Sequence, residues 1–175
     1  MDPSSYWPLV TCPVMFLSSS NDFNGAFDRM YKGMESVKHK NWRISTNIHE
    51  NHWPSAEQWV LLEMWFDQHL KAINQNIPKT PASTFDVNGK SAHFMVTPDN
   101  STGTLIETEI YYSYDPNPIT RFWHRAQAKM SGKSLFASFP VYEKLPIYAY
   151  ALCRYKLDKE RYTMSGKTST YTVNS

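Results

Sequence analysis

The chain has no apolar stretch long enough to cross a membrane, so no transmembrane helix is expected. Its first residues, Met1-Asp-Pro-Ser-Ser-Tyr-Trp-Pro8, lack a basic region followed by an apolar core, so no signal peptide is visible. Cysteine is nearly absent. Cys12 and Cys153 both fall inside apolar runs in different halves, which points to buried free thiols rather than a disulfide and leaves the compartment open. Charge of one sign is scarce too: the net charge is +2, too small for a nucleic-acid footprint. Twelve basic and eight acidic residues follow Pro78, but they are scattered along predicted strands, as on a solvated sheet face. No Gly-x-Ser-x-Gly elbow, internal repeat or low-complexity tract occurs.

What is present is enough to build a core: 41% of the 175 residues are hydrophobic and 15% aromatic. The first half reads as strand, helix, strand, helix. Cys12–Leu17 is an apolar strand running through Ser18–Ser20 into Asn21-Asp22. Ala26, Phe27, Met30, Tyr31, Met34 and Val37 then form one helical stripe within 24–39. Trp42–Ile48 alternates as a strand and opens into His49-Glu-Asn-His52. Ser55 and Gln58 match a capping box, and apolar residues on nearly every side from Trp59 to Leu70 predict a second helix covered by more than one neighbour. This order implies a parallel sheet with helices on its faces. Two strands are too few for one, which suggests truncation.

Residues 72–84 are polar, contain two prolines and show no periodicity, as a linker would. Beyond it come short aromatic runs at 92–97, 104–114, 120–128, 134–142, 147–157 and 169–173, separated by turn signals. They predict an antiparallel β-sandwich, with Ile106, Thr108, Ile110 and Tyr112 on one face and a wet face carrying Glu107, Glu109 and Tyr111. The expected organisation is therefore α/β followed by all-β, with a first unit at 1–78 and a sandwich at 79–175.

Two residues carry the chemistry. Asp22 lies just past an apolar strand, where open α/β sheets place functional groups. His52 lies thirty residues on, a distance filled by one helix and one returning strand, so a right-handed crossover would bring the two together. A carboxylate there would hold the imidazole tautomer and stabilise the imidazolium formed in catalysis. The competing readings are a helix-capping Asp22 and a surface-loop histidine. His49 is the second choice for the base. His49-Glu50 also begins like the zinc-protease HExxH, but Trp53 stands where its second histidine belongs, so no metal site or other cofactor is expected. No nucleophile presents itself: Ser18, Ser19 and Ser20 lead into the acid, while Ser131 and Ser165 sit in Ser-Gly turns.

Residues 12–71 resemble the C-terminal end of an α/β-hydrolase, with Asn21-Asp22 as the acid turn, Asn51-His52 as the histidine turn and a final helix ending Trp65-Phe-Asp-Gln-His-Leu-Lys71. The group is similar to PhoPQ-activated pathogenicity-related proteins and dienelactone-hydrolase-like or acetylxylan-esterase-like hydrolases. Some of these continue into an immunoglobulin-like β-sandwich, here matched at Glu109–Asp115, Thr120–Trp123 and Pro146–Ala151. The resemblance implies a fold made of the C-terminal strand-helix-strand-helix portion of a hydrolase sheet plus that sandwich. It implies a secreted or periplasmic parent cleaving small esters with a serine upstream of Met1. It also implies a chain inactive alone, whose exposed hydrolase-core surface would self-associate.

A different class of function is a non-enzymatic sandwich module. Tyr111, Trp123 or Tyr148 would then stack on a carbohydrate or bury a protein partner.

Overall fold

A computed structural model describes residues 3–25, 27–75 and 77–172. After a 3-10 helix over Pro3–Leu9 come β1 (Val14–Ser19), α1 (Phe27–Glu35), β2 (Trp42–Asn47) and α2 (Ala56–Leu70). Then follow β3 (Ala82–Asn88), β4 (Ser91–Thr97), β5 (Thr104–Ser113), β6 (His124–Arg125), β7 (Ala128–Ser131), β8 (Ser134–Pro140), β9 (Ile147–Leu157), β10 (Glu160–Ser165) and β11 (Ser169–Tyr171). Strands β1 and β2 pair in parallel, Val14 opposite Trp42 and Ser19 opposite Asn47. The remaining strands form two antiparallel sheets, ordered β3-β4-β8-β7 and β10-β9-β5-β6, with β11 also on β9.

This corrects the expected fold class. The four elements β1, α1, β2 and α2 do follow in that order, but they are not a portion of an α/β-hydrolase sheet. The molecule is mostly β, 42% strand against 16% helix, with two α-helices among the described residues and antiparallel pairing everywhere except β1–β2. Nor is the second half a free-standing immunoglobulin-like sandwich, because one of its sheets is covered on both faces. Odd-numbered Ile147, Ala149 and Ala151 of β9 pack with Phe94, Val96 and Phe139 of the facing sheet. Even-numbered Tyr148, Tyr150 and Leu152 pack instead with Tyr31, Met34 and Ile44 from α1 and β2. Leu61, Met64 and Trp65 of α2 close a third cluster with Cys153, Tyr155, Tyr162 and Met164. A two-stranded parallel pair buries too little apolar area by itself, and here the antiparallel sheet supplies what further parallel strands would.

Several local expectations change with it. Glu109 and Tyr111, placed on a wet face, are buried, because that face is the one α1 and β2 cover; Ile106 is exposed beside the register shift between Leu105 and Glu107. The 72–84 linker holds Ile77 and Pro78 in the interior, and the Pro78 carbonyl accepts a 2.7 Å bond from Arg43 Nε. β3 begins inside it. The run at 120–128 is mostly loop, with only β6 and, at Ala128, the start of β7 paired; Val173, the end of the last predicted strand, lies outside the described residues. The capping box at Ser55 and Gln58 is present. Yet α2 is not covered all round, since Trp59, Phe66 and Leu70 are exposed. Cys12 precedes β1 and is exposed, whereas Cys153 is buried.

Candidate active site

The end of β1 and the end of β2 form one edge, and two turns leave from it. Ser20 N–H donates to the Asn47 carbonyl and Asn21 N–H to the Glu50 carbonyl at 3.1 Å, so the acid turn and the histidine turn are tied backbone to backbone. Ser20 Oγ accepts from His49 N–H at 2.9 Å and lies 2.7 Å from Asn21 Oδ1. Beneath this edge, buried Gln58 fastens α2 to both strands. Its Nε2 donates to the Ser18 and Ser45 carbonyls at 2.8 and 2.7 Å, while Oε1 accepts from Asn47 Nδ2 at 2.7 Å.

Asp22 and His52 meet above that edge. His52 Nδ1 lies 3.2 Å from each carboxylate oxygen of Asp22, with the two side chains 44% and 12% exposed respectively. A shielded acid under a solvent-accessible imidazole is the arrangement that commits Nδ1 and leaves Nε2 to handle a proton. The competing reading expected Asp22 to cap α1, and among the described residues it does not. Its Oδ1 accepts from the N–H groups of Asn24 and Gly25 at 2.7 and 3.3 Å, a turn ahead of Phe27, so turn bonds and imidazole contact coexist on one carboxylate. Asn24 Nδ2 lies 3.4 Å from His52 Nδ1. Phe23 and Trp53, both exposed, flank the imidazole with ring centroids 5.5 and 5.9 Å away.

His49 sits elsewhere. Its backbone is left-handed, φ 56°, which turns the side chain toward the loop before β6. There Nε2 lies 2.9 Å from the Trp123 carbonyl oxygen and 3.1 Å from the Trp123 nitrogen, and the ring stacks on Phe122 at 4.8 Å. It makes no hydrogen bond to Asp22 among the described residues.

Comparison with protein-family models, curated proteins and solved structures gave no match. The chemistry of the site therefore stands on its own geometry.

Hydrogen bonds of the His52 ring run to Asp22 and Asn24 among the described residues, and none joins it to a hydroxyl or thiol. Ser19 Oγ is turned to the Trp53 carbonyl and Ser18 Oγ to the Ser19 carbonyl. No group of three or more His, Cys, Asp and Glu among the described residues could hold a metal ion. The aromatic platform expected of a binding module does not form: Tyr111, Trp123 and Tyr148 are all buried, 7%, 1% and 9% exposed, in the core shared with α1. Among the described residues, no helix is long and apolar enough to cross a membrane.

Sequence reasoning overlooked Arg121. It is fully buried and pairs with Asp28 at 2.8 Å, and its guanidinium lies 3.6 Å from the centre of the Tyr148 ring. The signal available was an arginine inside Thr120-Arg-Phe-Trp123, a run that otherwise reads as strand. It overlooked Asn24 for a simpler reason: nothing in residue type marks an amide two positions after an acid.

Proposed function

We propose that Asp22 and His52 are the acid and base of a serine-type ester hydrolase, serving a hydroxyl that the described residues do not place beside them. The single supporting observation is the pair itself, with Nδ1 equidistant at 3.2 Å from both oxygens of a largely shielded carboxylate. In the relay, His52 Nε2 takes the proton of the attacking hydroxyl as its oxygen bonds to the ester carbonyl carbon. Asp22 stabilises the imidazolium, and the same nitrogen returns the proton to the departing alkoxide. Water repeats the sequence to release the acid and restore the hydroxyl.

Such a relay without its hydroxyl is nearly inert, since loss of the serine alone costs about a millionfold in turnover. The resemblance to esterase-like hydrolases supports small acyl esters as substrates. p-Nitrophenyl acetate turnover is the test, measured on a form of the protein that includes the attacking hydroxyl. His52→Ala should lower kcat about a millionfold and Asp22→Asn about ten-thousandfold. Retained turnover in His52→Ala, with loss in His49→Ala, would move the base to His49. Retention in both would end the relay reading.

A further inference from the structure

The loop between β5 and β6 is built as a brace. Asp115 Oδ1 accepts from Asn117 N–H at 2.8 Å and Asn117 Oδ1 from Ile119 N–H at 3.0 Å, two successive Asx turns. Arg121 then reaches back across the loop. Its Nε donates to the Asp115 carbonyl at 2.7 Å and one terminal nitrogen to the Pro116 carbonyl at 3.3 Å, while the other pairs with Asp28 of α1. A planar guanidinium with its donors spread over three acceptors, packed on Tyr148 and with Trp123 5.2 Å away, fixes the loop in one shape.

That shape carries the two turns of the candidate site. Asn21, the residue before Asp22, donates through Nδ2 to the Ile119 and Arg121 carbonyls at 3.0 and 2.7 Å. His49, three residues before His52, meets the Trp123 main chain through Nε2 and stacks on Phe122. The acid turn and the histidine turn are thus anchored side by side to the same braced segment, at 119–121 and at 122–123.

We propose that residues 115–123 are a positioning strut for the Asp22–His52 pair, gripping it through Asn21 and His49, with Arg121 holding the strut in shape. The inference rests on the relay reading above. Neither Asn21 nor Arg121 touches a reacting atom, so both are positioning residues. In a site where 1 Å of misplacement is costly, the strut converts packing of the antiparallel sheet into acid–imidazole geometry.

The test is histidine 15N NMR of the full chain, with His52 assigned through His52→Gln. In the unaltered chain His52 should show the Nδ1–H tautomer that Asp22 holds. Asn21→Ala removes the grip with little effect on the core and should raise the Nε2–H to Nδ1–H ratio about tenfold. Arg121→Lys keeps the charge but not the fork, and should move the ratio the same way. Ile110→Val, in the opposite core, should lower thermal stability and leave the ratio alone. A tautomer unmoved in a folded Asn21→Ala variant overturns the strut while leaving the relay standing. An unaltered chain whose His52 lacks that tautomer sinks the relay, and the strut with it.

Discussion

Burial pushes the Cys153 thiol up to about 12, and its sulfur accepts a 3.7 Å contact from Thr108 Oγ1. A thiol held protonated and away from solvent neither attacks nor is attacked. Cys12, ahead of β1, is exposed. A disulfide reagent should therefore titrate one thiol in the folded protein and a second only in denaturant; two fast-reacting thiols in the native state would contradict this packing. The histidines divide in the same way. His49 and His52 stand three residues apart with identical chemistry, yet a left-handed backbone sends one to the Trp123 main chain and leaves the other on Asp22. The Asp22–His52 pairing was legible because a strand, a helix and a returning strand fix the direction of both strand ends. Arg121 was not, because the partners that satisfy it in the interior, Asp28 and two loop carbonyls, come from distant or irregular segments.

Among elements, α2 packs on Met15 and Leu17 of the parallel pair and is hydrogen-bonded to it through the side chain of Gln58. Gln58 is fully buried and fills its hydrogen-bonding capacity on Ser18, Ser45, Asn47 and Ser55. Gln58→Ala would strand two strand carbonyls and an amide in the interior, at a cost on the order of 3 kcal/mol. The denaturant midpoint reads this directly, and a change under about 1 kcal/mol would show that water replaces the amide. The capping box was readable because Ser55 and Gln58 meet by local geometry alone. The reach of the same Gln58 to β1 and β2 was not. β10 escaped notice for a related reason: Glu160-Arg-Tyr-Thr-Met-Ser165 has no long apolar run, and it becomes a strand by pairing Tyr162 with Tyr155 and Met164 with Cys153. On β5, alternation was read correctly as two faces, but which face meets water depended on α1 and β2 lying over Glu109 and Tyr111. Glu109 is buried there because Arg154 and Arg125 pair with it.

At the scale of the whole molecule, the sheet that α1, α2 and β2 cover concentrates buried phenols. Burial, with Glu109 adding to it, raises Tyr111 to about 12; burial raises Tyr162 to about 12 and holds Tyr150 well above its usual value. A tyrosine is neutral when protonated, so each of these groups binds its proton more tightly folded than unfolded. Their contribution to stability is whole below the unfolded value of 10.0 and is lost as pH rises toward 12. The melting temperature should fall steeply between about pH 10 and 12, with delayed phenolate absorbance marking the buried class. A flat profile would mean these phenols reach solvent. The same layer makes the two halves interdependent, since removing α1 and β2 would bare Tyr111, Tyr148 and Tyr150.

Composition, local periodicity and short-range caps were determined by the sequence itself: a chain with a sufficient core, the order β1, α1, β2, α2, the box at Ser55, and an acid and a histidine leaving neighbouring strand ends. These depend on residues close in the chain, where spacing sets direction. The tertiary structure alone decided that the first half lies against an antiparallel sheet instead of extending a parallel one. It also decided that Tyr111, Trp123 and Tyr148 form a core, not a platform, and that Arg121 and Asn21 stand behind the Asp22–His52 pair. Those outcomes rest on contacts between residues about a hundred positions apart, where burial and charge pairing choose among arrangements that local pattern leaves equal.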